Sequence, residues 1–355
     1  MADIDSIKDI KRIDKSGAID SIYLIPEQIN QAFFEVKNIT PPKSCINAKN
    51  VVVAGMGGSA LGGRIIDSLI PQRSRTPIEV FTEFHIPNYV NKNTLVIVSS
   101  YSGNTQETIY DLDEARRKNA QIFVITTGGK LAKIAKDNNI PVYIIDPKFN
   151  PSGQPRFALG YSVGAIISIL SKCAFIQISS DEMEDLFFSL KKLNKDFSVE
   201  NSSKNNVAKS LALKLKRKMP VLVSSEHLVG SCHAFKNQLN ETSKTFSASF
   251  DIPELNHHLM EGLKNPAQVI DHLLFLFFES ELYSPHVVKR YSITQEVVEK
   301  NNVEIIKYPL KSKTKLEQVF EVVTLGAYVG YYLAILYDID PMPIPWVDYF
   351  KEKIK

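Results

Sequence analysis

The sequence predicts an α/β protein built from two doubly wound parallel sheets in tandem, and three observations carry that prediction. Asn50-Val-Val-Val-Ala-Gly-Met-Gly-Gly-Ser-Ala-Leu-Gly-Gly63 is an apolar run that passes through a glycine turn into an amphipathic stretch containing Ile65, Ile66 and Leu69. Leu95 to Val98 is a second unbroken aliphatic run, followed by a hydroxyl-rich turn and a helical pattern from Thr105. Beyond Phe157 the same alternation of apolar runs and amphipathic stretches returns. Unbroken runs mark strands covered on both faces, and strand, turn and helix in repetition mark parallel units.

Taken in order, residues 1 to about 44 show helical spacing at Ile7, Ile10, Ile13, Leu24 and Ile29 but no chemistry, which suits a cap or bridge between domains. Further strands are expected at Ile78 to Phe81, Ile122 to Thr126 and Val142 to Ile145, with helices at Thr105 to Lys118 and Lys130 to Asn138. Pro147 to Arg156 is rich in Pro, Gly, Asn and Ser and reads as a loop or domain crossing. A long apolar helix is expected from Phe157 to Ile176. The second set runs as a strand at Met219 to Ser224, a helix at His227 to Ser243, a strand near Val269 to Phe278, a helix at Ser284 to Lys300 and a strand at Val303 to Tyr308. A final helix covers about Leu316 to Tyr337; its uncharged stretch from Val322 is too short and polar to span a bilayer, so it reads as buried. The expected division is an N-terminal domain over residues 1–155 and a C-terminal domain over 156–355.

Composition narrows the classes. A chain of 355 residues, 44% hydrophobic and 23% charged, is long enough for two cores and ordinary for a globular protein. The net charge of +3, with no dense Lys/Arg run, fits a small anionic ligand and argues against a nucleic-acid surface. Cys45, Cys173 and Cys232 are few, odd in number and far apart, which leads to an expectation of reduced thiols and a cytoplasmic location. The first twenty residues lack the apolar core of a secretory signal.

The turn after Leu95 to Val98 carries Ser100, Ser102, Gly103 and Thr105. Three hydroxyls, a glycine that permits a tight turn and the uncapped start of a helix suit a phosphomonoester dianion. The competing reading is that these Ser and Thr residues only cap the helix. Gly55-Met-Gly-Gly-Ser-Ala60 also matches a loose dinucleotide pattern, with Glu83 near the position of a ribose-binding carboxylate. That reading leaves the second turn unexplained. A sugar-phosphate reading uses both, because turns at the carboxyl ends of neighbouring parallel strands converge on one crevice and set Gly58 and Ser59 opposite Ser100, Ser102 and Thr105.

With that spacing, Gly-Met-Gly-Gly-Ser-Ala and Ser-Tyr-Ser-Gly-Asn-Thr-Gln-Glu-Thr resemble the turns of sugar isomerase (SIS) domains, which have a flavodoxin-like, doubly wound fold. Together with Gln154-Pro-Arg156, Asn240-Glu-Thr-Ser-Lys244, Pro253-Glu-Leu-Asn-His257 and Asp340-Pro-Met-Pro343 followed by Lys351, the chain resembles the bifunctional phosphoglucose/phosphomannose isomerase family over nearly its whole length. The resemblance implies two tandem SIS domains, a homodimer with active sites completed between subunits, hexose 6-phosphates as substrates, no nucleic-acid or membrane partner, and a role in glycolysis and gluconeogenesis. It gives Gly58 and Ser59 substrate contacts and makes Ser100, Ser102 and Thr105 the phosphate cradle. It places Arg156 beside the reacting carbons, makes Glu241 the base, His257 the ring-opening histidine and Lys351 an assistant at the ring hydroxyl. The chain has Asn256-His257-His258 where the family has Asn-His-Asn, and Pro345 and Phe350 depart from the family's tail.

Aldose–ketose isomerisation of this kind needs no redox cofactor and no metal, since one carboxylate can move the proton and a cation can stabilise the enediolate. Each residue also has a bland reading: Glu241 as an exposed helix carboxylate, Arg156 as a loop cation, and Lys351 as a solvated tail charge. His257 and His258 could suggest a metal, but adjacent residues point apart and no other ligand cluster is close in sequence. Two further functions share the fold, another SIS isomerase and a non-catalytic sugar-phosphate sensor. The sensor is disfavoured because residues 1 to 44 are too short and too weakly basic for a DNA-binding module.

Overall fold

The computed structural model describes residues 2–69, 74 and 76–354. The chain divides into two compact units, Tyr23–Lys191, called here the first unit, and Met1–Ile22 with Lys192–Lys355, the second. In chain order the elements up to the division are α1 (Ile7–Ile13), α2 (Ala18–Tyr23), α3 (Ile25–Lys37), β1 (Asn50–Gly55), α4 (Gly58–Leu69), β2 (Ile78–Phe81), β3 (Thr94–Ser99), α5 (Gln106–Arg117), β4 (Gln121–Thr126), α6 (Gly129–Asp137), β5 (Val142–Ile144), α7 (Leu159–Lys172) and α8 (Ser180–Asp196). They continue as α9 (Val207–Leu215), β6 (Met219–Ser224), α10 (Val229–Thr242), β7 (Ala248–Asp251), α11 (Ala267–Ile270), β8 (Leu273–Glu279), α12 (Pro285–Lys300), β9 (Glu304–Pro309), α13 (Lys315–Leu336) and α14 (Pro345–Lys353).

The first unit holds a five-stranded parallel sheet in the order β2-β1-β3-β4-β5. All six residues of β3 are buried, as an aliphatic run sandwiched between helices requires. After β1 the chain builds outward to β2, then crosses back to β3 on the other side. The carboxyl ends of β1 and β3 therefore flank the point where strand order reverses, and a ligand crevice opens there in folds of this class. The second unit repeats the plan with four parallel strands, β7-β6-β8-β9, and its reversal lies between β6 and β8.

Two expectations are corrected. Helix α7, assigned from sequence to the C-terminal domain, packs on α3 and α4 within the first unit, so the division falls inside α8 and not at residues 155/156. Twelve of its fourteen residues are buried, and the first sheet's unit supplies the cover they need. Cys45 and Cys173, expected to be reduced, form a disulfide across a sequence separation of 128 residues, with their Cα atoms 5.6 Å apart. Their distance in sequence says little, because the pairing of α3 with α7 brings the end of α7 back to the segment that leads into β1. Cys232 is free and buried.

Helix α13 is long and apolar enough to cross a membrane by length and composition, yet its apolar window is entirely buried inside the protein. It starts at a capping box in which the Thr314 hydroxyl accepts from the Glu317 N–H while the Glu317 carboxylate accepts from the Thr314 N–H. It packs along α10 and α9 and forms the core of the second unit.

Candidate functional site

The glycine turn and the hydroxyl turn of the first unit meet at the switch point. The Tyr101 N–H donates to Ser59 Oγ at 3.1 Å, tying the middle of the second turn to the start of α4. Gly103 takes φ +66°, and a Cβ on it would run into the Gly128 carbonyl, so this position requires glycine for both conformation and space. Ser100 is buried; its Oγ accepts the Gly103 N–H at 3.2 Å and donates to Thr105 Oγ1 at 3.0 Å.

That last bond engages the Thr105 hydroxyl within the turn. Thr105 occupies the N-cap position of α5 with extended backbone, but its side chain makes no capping bond. The N–H groups that open α5 lack intrahelical acceptors by construction and stand at the positive end of the helix dipole. Thr105 is thus placed as an N-cap without acting as one. Ser102 is exposed at the rim of the turn, with Oγ accepting the Asn104 N–H at 3.4 Å.

Below the turns lies a crevice of about 10 Å³, lined among others by Ser59, Ser99, Tyr101, Pro155 and Ser162. A space of that size holds one water, so a sugar phosphate would lie above it. A larger cavity of about 290 Å³ sits elsewhere in the unit, between α3, α8 and the loop after β5. Its walls include Glu27, Glu35 and three phenylalanines against a single cation, Lys148, which is the wrong balance for a phosphate.

The loop that carries Arg156 reaches the same turns. A Cβ on Gly58 would come within 3.2 Å of Pro155 O and 3.6 Å of Arg156 Cα, so the loop carrying the arginine lies directly against the glycine turn. The guanidinium stands 4.8 Å over the Phe157 ring and donates to Gln154 Oε1 at 3.3 Å. Asn150 Nδ2 donates to the Tyr101 hydroxyl at 2.9 Å, linking this loop to the hydroxyl turn. Burial pushes the Tyr101 phenol above its usual range and keeps it neutral. The structure therefore brings together Gly58, Ser59, Ser100, Ser102, Thr105 and the Arg156 loop, all within the first unit.

Glu241, His257 and Lys351 belong to the second unit. Glu241 is the penultimate residue of α10, half-buried, and follows Asn240, whose Oδ1 accepts from the Ser247 N–H at 3.1 Å and Ser247 Oγ at 3.0 Å. Those bonds fix the end of α10, which packs on α13 where Gly326 and Gly330 admit it. His257 ends a short 3-10 turn (Glu254–His257) and is exposed. Its neighbour His258 is engaged: Nε2 meets Glu254 Oε2 at 2.7 Å, and the ring tilts against Phe250. Among the described residues no hydrogen bond or ion pair holds the exposed His257 ring. Lys351 lies on α14, a helix with no buried residue that exposes Trp346, Tyr349 and Phe350. No group of three or more His, Cys, Asp or Glu residues able to hold a metal occurs among the described residues.

Sequence reasoning missed Gln28, a fully buried residue of α3 whose Nε2 donates to Phe149 O at 2.9 Å and Phe157 O at 2.8 Å, clasping both ends of the Arg156 loop. The signal was present as two buried amides, Gln28 and Gln31, on the face of α3 that otherwise buries Ile25, Ile29, Ala32 and Val36.

Two parallel sheets with a phosphate-shaped turn at the first switch point define a protein of the sugar isomerase class. A SIS domain model matches residues 45–167, and the model described as "Bacterial phospho-glucose isomerase C-terminal SIS domain" matches 204–354. Bifunctional phosphoglucose/phosphomannose isomerases from Caldicellulosiruptor bescii and Thermoplasma acidophilum are 34% and 31% identical, the first over 94% of this chain and 98% of the relative, the second over 86% and 89%. The chain belongs to the bifunctional phosphoglucose/phosphomannose isomerase family. A crystal structure of a hypothetical protein from Thermus thermophilus shares the fold, with a TM-score of 0.75 at 16% identity over 98% of this chain and 93% of that one.

Proposed function

We propose that this protein interconverts glucose 6-phosphate, and mannose 6-phosphate, with fructose 6-phosphate through a cis-enediol. The observation that carries the reading is the uncapped turn at Ser100–Thr105 set against Gly58 and Ser59, in a chain whose relatives are phosphoglucose/phosphomannose isomerases. Hydroxyl and amide donors hold the phosphate without a lysine, so binding depends on geometry more than on net charge. The pyranose opens as His257 protonates the ring oxygen while Lys351 or a water takes the anomeric proton. Glu241 then removes the C2 proton and returns it to C1, while Arg156 stabilises charge on the enediolate oxygen. Because C2 is planar in the enediol, both epimers converge on one intermediate. We include a homodimer in this reading; the aromatic face of α14, uncovered in the single chain, supports it.

The test is a coupled assay of fructose 6-phosphate formation from each hexose phosphate, run without added metal or nucleotide. Turnover of both supports the reading, turnover of glucose 6-phosphate alone restricts it, and turnover of neither removes it.

A further inference from the structure

Tyr101 stands inside the Ser100–Thr105 turn, and its backbone and side chain serve different ends. The backbone builds the turn: its N–H donates to Ser59 Oγ at 3.1 Å, and its carbonyl accepts from the Thr127 N–H at 3.0 Å and the Thr127 hydroxyl at 2.7 Å. The side chain leaves the turn altogether. Its hydroxyl accepts from Asn150 Nδ2 at 2.9 Å, in the loop between β5 and α7 that carries Arg156.

Asn150 is 3% exposed, and its amide is engaged on every side. Besides the bond to Tyr101, Nδ2 donates to Gln154 O at 3.0 Å, while Oδ1 accepts from Ser152 Oγ at 2.8 Å. An amide with both protons and its oxygen engaged has one orientation, because turning it over would set donor against donor. The same nitrogen therefore closes the loop on itself and ties it to Tyr101. Gln154, held in that closed loop, accepts from the Arg156 guanidinium through Oε1 at 3.3 Å. A path of hydrogen bonds thus runs from the turn through Asn150 and Gln154 to Arg156. Gln28 holds the loop from another side, to α3. The hydroxyls of Ser100, Ser102 and Thr105 bond within the turn itself.

We infer that Tyr101 is a positioning residue of the reaction: through Asn150 its hydroxyl sets the loop, and with it Arg156, in register with the turn that takes the phosphate. The inference rests on the isomerase reading above. The phosphate is carried on C6 and the proton moves between C1 and C2, at opposite ends of the hexose chain, so the elements that hold the two ends must keep a fixed separation. A group displaced by about 1 Å from the reacting atoms can cost on the order of a hundredfold in rate. A side chain anchored in one element and bonded to the other supplies that fixed link.

Tyr101→Phe isolates the link, since it keeps the ring and both backbone bonds and removes the acceptor of the Asn150 proton. Steady-state kinetics with glucose 6-phosphate should show kcat lowered about tenfold or more and KM within about twofold of wild type. In an Arg156→Lys background, which lacks the planar fork of donors, the same substitution should have little further effect, because the two residues act along one path. Unchanged kcat in Tyr101→Phe overturns the inference, and so does a loss that multiplies with that of Arg156→Lys; in both cases the isomerase reading stands on the wild-type rate. Hydrogen–deuterium exchange with inorganic phosphate gives a readout that needs no turnover. In wild type, phosphate should slow exchange in the turn and in residues 147–156 together; in Tyr101→Phe it should slow the turn alone. If wild type turns over neither hexose phosphate while this pattern holds, the isomerase reading falls and the coupling stands. Protection of the turn without the loop in wild type overturns the coupling whatever the rate.

Discussion

The N–H of Tyr101 and the hydroxyl of Ser59, 3.1 Å apart, join two turns that are 42 residues apart in sequence. Ser59→Ala leaves the Tyr101 N–H without its acceptor in a largely buried setting, which costs about 1–3 kcal/mol. Fructose 6-phosphate affinity is expected to fall about tenfold, corresponding to about 1.4 kcal/mol, with a lower melting temperature. Titration and thermal unfolding check both; unchanged affinity with a lowered melting temperature would make the hydroxyl purely structural.

Gly103 and Gly57 separate conformation from space. Both have positive φ, but only Gly103 faces a backbone carbonyl that an added methyl would strike. Gly57→Ala should cost about 1 kcal/mol, the ordinary penalty for a left-handed alanine, whereas Gly103→Ala should cost about 3 kcal/mol or more because Gly128 must also move. Denaturant unfolding of the two variants gives the comparison. Equal losses would show that the Gly128 backbone yields freely.

Asp111 on α5 is buried, and burial, with the nearby Glu114 and Glu107 charges adding to it, raises its carboxyl to about 7. A carboxyl with a raised folded pKa binds a proton in the folded chain that the unfolded chain has already lost. Its contribution to stability is complete below the unfolded value of 3.8 and is lost as pH rises towards 7. Asp111→Asn should therefore stabilise the protein by up to about 3 kcal/mol at pH 8 and by progressively less towards pH 4. Unfolding curves at the two pH values test this, and an equal effect at both would place the origin elsewhere.

Glu241→Gln removes the proton carrier and preserves the size and most hydrogen bonding of the side chain. Turnover should fall at least ~100-fold, within the range for loss of a positioned acid–base group, while fructose 6-phosphate affinity stays within a few-fold of wild type. Stopped coupled assays and equilibrium titration read these separately. Wild-type turnover would transfer the role of base to another group.

What could be read from the sequence followed how local each signal was. The strands β1 and β3 and the two turns were legible because buried parallel strands are unbroken aliphatic runs and tight turns need glycine, both properties of neighbouring residues. Strand β7 was missed because Ala248–Asp251 is only partly buried and carries no such run. The domain boundary misled because Pro147–Arg156 has a linker's composition, whereas Gln28 and Gln31 of α3 hold it at Phe149 and at its flanks, Phe157 and Asp146. The Cys45–Cys173 pairing depends on tertiary neighbours that no spacing rule supplies. The hydroxyl turn was legible as a turn, but that Thr105 makes no capping bond and instead accepts from Ser100 needed the structure.

Gln28 gives the sharpest test of how the Arg156 loop is held. Its amide donates to the carbonyls that bracket the loop, and among the described residues α3 has no other buried side chain bonded to both ends. Gln28→Leu keeps the volume but leaves two buried carbonyls unpaired, at a cost of about 1–3 kcal/mol each if neither finds water. The loop then loosens at the element that carries the guanidinium. Because Arg156 is assigned to the enediolate rather than to the phosphate, kcat should fall about tenfold or more while KM changes little. A purely structural role would lower the melting temperature and leave kcat of the folded fraction unchanged. Gln28→Glu offers a second reading, since a carboxylate cannot donate to either carbonyl at neutral pH and should resemble the leucine variant in kcat; wild-type kcat in both variants would detach Gln28 from the reaction.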